Sequence, residues 1–183
     1  MADVSLPPEN VVLIGFMGTG KSSIGRLLAA RLRFKFVDTD QMIVEKAGCE
    51  IPQIFADHGE AHFRDMETEA LSSLAQAERR VVATGGGIVV REENRTLLRA
   101  LGLVVALTAS EDVIFRRVSR NQKRPLLETP NPRETISRML AARQPQYAEA
   151  AQFSVDTSDL THAEVAEAIM EEARRAFSWQ PTR

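Results

Sequence analysis

The amino-acid sequence predicts an α/β fold built on a parallel sheet. Three observations carry that expectation. Short, β-rich apolar runs recur along the chain, longer stretches of helical periodicity separate them, and a glycine-rich turn joins the first run to the first helix.

The apolar runs are residues 11–16, 34–37, 81–83, 103–107 and 153–155. Each is nearly continuous in apolar residues rather than alternating, the pattern of strands covered on both faces. Residues 21–32 place Ile24, Leu27, Leu28 and Leu32 on one side of a helix. A further helix is expected near 91–101. Residues 161–176 open with Thr161 and Glu164 in capping-box register, then set Val165, Ile169 and Ala173 on one face. Strands alternating with helices imply right-handed crossovers around a parallel sheet. Two regions break the alternation. Residues 39–79 are helical without a strand, which makes a helical insertion after the second strand. Residues 119–132 contain Pro125, Pro130 and Pro132 and read as an irregular loop.

Residues 1–183 are expected to form a single domain, since that length can bury a core and carries no internal repeat or low-complexity segment. Hydrophobic residues make up 44% of the chain and charged residues 26%, as in ordinary globular proteins. The net charge of −2 offers no bulk attraction to nucleic acid or to a membrane surface, so neither is expected as a partner. Cys49 is the sole cysteine, which excludes an intramolecular disulfide and a Cys-rich metal site. Residues 1–10 hold two prolines and no apolar core, unlike a signal peptide, and the apolar run 11–18 is too short to span a bilayer. A cytoplasmic monomer is the expectation.

Gly15-Phe16-Met17-Gly18-Thr19-Gly20-Lys21-Ser22 fits the phosphate-binding pattern G-x-x-x-x-G-K-[ST], with a hydrophobic strand before it and an amphipathic helix after it. Glycines are needed there because the backbone must wrap a phosphate with its N–H groups pointing inward, in torsions that side chains disfavour. The helix N-terminus adds about half a positive charge aimed at the same anion. Lys21 would bridge β- and γ-phosphates, and the Ser22 hydroxyl would meet Mg2+. Such loops serve GTPases, motors and kinases alike, but no Asn-Lys-x-Asp guanine signature follows, and no Asp closes the run 103–107. Instead, Asp38 and Asp40 stand at the end of the second strand, where open α/β sheets bind ligands. One of them can face a metal while the other faces an acceptor hydroxyl. The plainer alternative makes Asp40 an N-cap for a helix over 41–47. Farther on, residues 113–133 hold Arg116, Arg117, Arg120, Lys123, Arg124 and Arg133 against the single acid Glu128, a local segregation that suggests a polyanion nearby.

Residues 15–22, Asp38-Thr39-Asp40, Phe63-Arg64, Gly85-Gly86-Gly87, Arg124-Pro125-Leu126-Leu127 and Arg143-x-Pro145-x-Tyr147 occur in the order and approximate spacing of shikimate kinases, and the chain resembles that family from about residue 10 to 170. The resemblance implies a P-loop, nucleoside-monophosphate-kinase-like fold. In such a fold helices flank a five-stranded parallel sheet, a helical substrate-binding region covers 39–79 and a lid covers 119–132. It implies transfer of the ATP γ-phosphoryl group to the 3-hydroxyl of shikimate, a step of aromatic amino-acid biosynthesis, with Mg2+ as cofactor. Carried over to this chain, Gly18, Thr19, Gly20, Lys21, Ser22 and Ser23 hold the ATP phosphates. Ser22 binds Mg2+, and Asp38 does so through water. Asp40, Arg64, Gly85, Gly86, Gly87 and Arg143 bind shikimate. Arg124 is the lid arginine and contacts ATP, and Arg117 lies against adenine. Lys21, Asp40 and Arg124 make up the catalytic set. The family often places a proline near the final strand–helix loop, on adenine. Here that stretch reads Ser158-Asp159-Leu160-Thr161-His162, so the adenine contact on that side stays open.

The residue chemistry agrees with the resemblance. Arg64 and Arg143 can form charge-assisted hydrogen bonds to a substrate carboxylate, and Glu67, three residues after Arg64 on a helix, can hold its guanidinium. The glycine run 85–87 lets a ring approach backbone N–H groups without a Cβ in the way. Two rivals remain at this point: another small-acid kinase such as a gluconate kinase, and a non-catalytic ATP-binding regulator. Intact Lys21, Ser22, Asp38, Asp40 and Arg124 speak against the second.

Overall fold

All four side chains of β1 (Val11–Ile14) are fully buried, because this strand lies at the centre of the sheet and is covered on both faces. The computed structural model describes residues 9–119 and 130–178. In chain order, the elements after β1 are α1 (Lys21–Leu32), β2 (Lys35–Asp38), α2 (Thr39–Ala47), α3 (Ile51–Ser73) and β3 (Arg80–Ala83). A 3-10 turn (Ile88–Val90) leads to α4 (Glu92–Leu101), β4 (Leu103–Thr108), α5 (Glu111–Ser119), α6 (Pro132–Ala150), β5 (Phe153–Asp156) and α7 (His162–Ala176). The five-stranded sheet runs β2-β3-β1-β4-β5, and every pair is parallel. Val12 stands between Val82 and Val104.

Strand side chains alternate between faces, so the sheet separates two cores. Val12, Ile14, Val82, Val104 and Ala106 pack with Leu71, Leu98, Ile114, Ile136 and Tyr147 from α3 to α6. Val11, Leu13, Val81, Val105 and Leu107 pack with Ile24 and Leu28 of α1 and Val165 and Ile169 of α7. A third, smaller cluster of Ile43, Ile54, Phe63 and Ala70 holds α2 and α3 together apart from the sheet. The helical region is therefore anchored by its own packing.

The strands and helices expected from the sequence are present, and the boundary differences at β1 and β2 have local causes. β1 stops at Ile14, two residues before the expected end. Gly15 there takes φ 139° and passes so close to β4 that a Cβ would lie 2.2 Å from Leu107 O. β2 begins at Lys35 rather than Phe34, because α1 closes through Arg33 at φ 57° and the Phe34 N–H returns to Ala29 O at 2.9 Å. α6 was not foreseen: Pro145 lies inside it, and its buried side is only Ile136, Tyr147 and Ala150. Among the described residues no helix is long and apolar enough to cross a membrane.

Candidate active site

The loop after β1 is preset by its own chain. Gly15, Gly18 and Gly20 all have positive φ. The Thr19 hydroxyl turns inward and donates to Phe16 O at 2.8 Å, so Thr19 stiffens the cradle through its side chain. Lys21, 9% exposed, donates from Nζ to Gly15 O at 2.7 Å and Phe16 O at 2.9 Å. Its charge is thus held within the cradle by carbonyl dipoles. Arg117 braces the other side of the loop, donating to Thr157 Oγ1 (2.9 Å), Thr157 O (2.6 Å) and Gly18 O (3.3 Å).

The two acids at the end of β2 divide their work. Asp38 is the N-cap of α2, accepting from the Asp40 N–H at 3.1 Å, while its other oxygen accepts the Ser22 hydroxyl at 2.9 Å. The cap alternatively assigned to Asp40 therefore belongs to Asp38. Asp40 lies in the first helical turn, with its Oδ1 beside Gly85. A Cβ at Gly85 would fall 2.5 Å from Asp40 Oδ1 and 3.1 Å from Glu67 Oε1.

α3 contributes Arg64 and Glu67, whose spacing puts them on one face. Arg64 Nη1 donates to Glu67 Oε2 at 2.6 Å, while Nη2 and Nε donate to Glu60 Oε1 at 2.9 and 3.3 Å. Burial opposes charge on both members of the Arg64–Glu67 pair. For Arg64, the hydrogen bonds and charges of Glu67 and Glu60 outweigh burial, and its pKa is raised. For Glu67, burial prevails over Arg64 and is reinforced by the charge of Asp40, so its carboxyl titrates above its ordinary value. The glycines after β3 make room for these side chains: a Cβ at Gly87 would lie 2.2 Å from Arg64 Nη1. Gly85 and Gly87 thus admit the protein's own charged groups. Gly86 lies against the P-loop, 3.4 Å from Met17 N by the same measure. Its carbonyl accepts from Arg143 Nη1 at 3.3 Å and from Tyr147 Oη at 2.5 Å, both on α6 one turn apart. Burial pushes the Tyr147 phenol up to about 12.

Two cavities result. One, about 390 Å3, is lined by Gly18, Gly20, Lys21, Ser22, Ser23 and Asp38 among others. The second, about 720 Å3, sets Arg64, Arg143, Glu60 and Glu67 among Ile51, Phe55, Phe63 and Met139. They share Met17, Asp40 and Gly86. A cavity of about 800 Å3 along the outer edge of β2 is larger, but no residue of the loop 15–22 lines it.

The sequence profile described as shikimate kinase matches residues 17–174. The chain belongs to the shikimate kinase family. A shikimate kinase from Thermodesulfovibrio yellowstonii is 48% identical over 91% of this chain and 96% of its own length. A shikimate kinase from Acinetobacter baumannii, solved in complex with shikimate, superimposes with a TM-score of 0.85 at 37% identity, covering 92% of this chain and 93% of that one. A gluconokinase from Sinorhizobium meliloti 1021, at 19% identity and a TM-score of 0.58 over 95% of this chain and 96% of its own, shares the fold alone. The shikimate kinase fold, a parallel sheet with a P-loop and flanking helices, is the one observed.

Against that family pattern, the structure brings Gly18, Gly20 to Ser23, Asp38, Asp40, Arg64, Gly85 to Gly87 and Arg143 around two adjoining cavities, while the Thr19 side chain is buried behind the loop and lines neither. Arg117 lies at the loop's edge. Arg124 and most of the lid expected over 119–132 lie outside the described residues; α5 ends at Ser119 and α6 begins at Pro132. Two residues escaped the sequence reading. Glu60 is four residues before Arg64, a spacing as informative as that of Glu67. Thr157, which locks Arg117, carries no sequence signal of its own.

Proposed function

We propose that this chain transfers the γ-phosphoryl group of ATP to the 3-hydroxyl of shikimate, giving ADP and shikimate 3-phosphate. The reading rests on one observation above the others: a phosphate cradle and an arginine-bearing cavity meet at Met17, Asp40 and Gly86. Shikimate is a hydroxylated ring carrying a carboxylate. Phe55, Phe63 and Met139 offer apolar surface to such a ring, and Arg64 and Arg143 offer cations to its carboxylate.

In this mechanism Asp40 orients the attacking hydroxyl and accepts its proton as the bond to the γ-phosphorus forms and the bond from that phosphorus to the β,γ-bridging oxygen breaks. Lys21 gives up the Gly15 and Phe16 carbonyls for phosphate oxygens, so a charge already in place meets the developing negative charge. Arg124 adds a second cation from the lid, and Arg117 borders the nucleotide base. The Ser22 hydroxyl and the Asp38 carboxylate form a pair of hard oxygen donors beside the cradle, a set that suits Mg2+. Bound there, Mg2+ would neutralise phosphate charge. The partners are small molecules, and the proposed setting is the cytoplasm, with the chain a monomer. We take residues 1–183 as one kinase domain, with 39–79 as its substrate-binding region and 119–132 as its lid.

An assay coupled to ADP release, run with shikimate, gluconate and nucleoside monophosphates, tests this. ADP should appear at a useful rate with shikimate alone. Turnover of gluconate instead would overturn the substrate, and ATP binding with no turnover of any acceptor would make the chain a regulator.

A further inference from the structure

Arg64 already engages two carboxylates through three of its five N–H donors. Nη1 belongs to Glu67, and Nη2 with Nε belongs to Glu60. The two partners differ sharply in freedom. The Glu67 side chain is 1% exposed and that of Glu60 is 66% exposed, against 10% for Arg64 itself. A substrate carboxylate arriving at this guanidinium would be the third carboxylate on one cation. Like charges that close repel. Repulsion favours the departure of one, and Glu67, enclosed beside Asp40, has nowhere to go. Glu60 does.

The backbone eases that departure. Gly59, at φ 80° and ψ 175°, breaks α3 into two helical pieces. No atom lies within 4 Å of a Cβ built on Gly59, so its glycine serves the backbone torsion and not a tight contact. Glu60 opens the second piece. A carboxylate released from Arg64 there stays at the positive end of a helix, which lowers the cost of its release.

We propose that Glu60 is a stand-in for the substrate's carboxylate: it holds the Nη2/Nε edge of Arg64 until the substrate takes that edge, so that binding is an exchange of one carboxylate for another. This rests on the substrate reading given above and adds a residue that sets the affinity for the acid. The stand-in keeps the buried guanidinium oriented while the site is empty, and an uncharged ring, which makes no claim on Arg64, leaves it in place. Its cost is a weaker apparent affinity for the true substrate.

The test is direct binding of shikimate and of its methyl ester to wild type, Glu60→Gln and Glu60→Ala, measured by calorimetry. Glu60→Gln keeps the shape and removes the charge. Shikimate should bind Glu60→Gln about two- to fivefold more tightly than wild type, the scale of one partly exposed ion pair. The ester should bind the two alike, so the preference for acid over ester widens by that same factor. Glu60→Ala should move in the same direction. If both variants bind shikimate with unchanged or weaker affinity, Glu60 only supports Arg64 and the exchange is wrong. If acid and ester gain equally, Glu60 merely crowds the cavity, and the exchange is again wrong. Failure of the wild type to bind shikimate at all would instead overturn the substrate reading itself.

Discussion

The phosphate cradle and the acceptor pocket are neighbours built on opposite principles. The cradle is a single stretch of chain, and its geometry lies in the backbone: positive φ at three glycines, inward hydroxyl and ammonium groups on Phe16 O, and a helix N-terminus. The pocket is assembled from α2, α3, the turn after β3 and α6, and its chemistry lies in charged side chains that hold one another: Asp40, Glu60, Arg64, Glu67 and Arg143. Backbone geometry binds any polyphosphate. Only the side-chain cluster can choose an acceptor. Substitutions in the pocket should therefore separate acceptor recognition from nucleotide binding.

Asp40 stands where the two regions meet, and it carries the largest expected effect. Asp40→Asn keeps the shape and loses the base, so kcat should fall about 100-fold or more, while the ATP dissociation constant hardly changes. A near-normal kcat would reduce Asp40 to a scaffold for α2. Next comes Gly87→Ala. A methyl group there lies 2.2 Å from Arg64 Nη1, so the guanidinium must shift. The loss in kcat/KM for shikimate should approach that of deleting Arg64, about 10- to 150-fold. Because both changes disable one group, the Gly87→Ala/Arg64→Ala double variant should lose little more than either alone. Additive losses would mean that Gly87 serves the substrate directly.

On the cradle side, Arg117→Ala removes the clamp between Gly18 and Thr157. ATP affinity should weaken by about 2- to 10-fold, the worth of one or two ordinary hydrogen bonds, with the shikimate KM unchanged. A shift in the shikimate KM would show that the regions are coupled through the loop.

The smallest effect is a titration. Tyr147 is the only tyrosine, so phenolate absorbance reports it alone. Its midpoint should lie near 12 in the folded chain and near 10 once unfolded. The pKa is raised on folding, so the associated stability is complete below pH ~10 and is lost as pH rises toward ~12, a loss of about 2–3 kcal/mol. Tyr147→Phe should abolish that alkaline slope in thermal melts. A midpoint near 10 in the folded protein would mean that the hydroxyl is not sealed against Gly86.

These contrasts also explain what could be read from sequence. The cradle was legible because its residues are contiguous and its flanking strand and helix announce themselves. The capping box at Thr161 and Glu164 is likewise local, and the structure contains it. The pocket was legible only as a set of motifs in register, since Arg64 and Arg143 meet Gly86 and Gly87 through the fold. What stayed hidden lacked a local signal. α6 has a thin apolar side and an internal Pro145. The cap at Asp38 rather than Asp40 depended on where β2 passes into α2 without a linker. The space left by Gly85 and Gly87 is filled by side chains distant in sequence, which no run of glycines can reveal.

The claim that two arginines, distant in sequence, read one carboxylate is tested most directly by a cycle of substrate and enzyme. The kcat/KM for shikimate and for its methyl ester would be measured in wild type, Arg64→Ala and Arg143→Ala. The wild type should lose heavily on going from acid to ester, while each variant should lose much less, because the partner of the charge is already gone. An equal acid-to-ester ratio in all three enzymes would contradict the account.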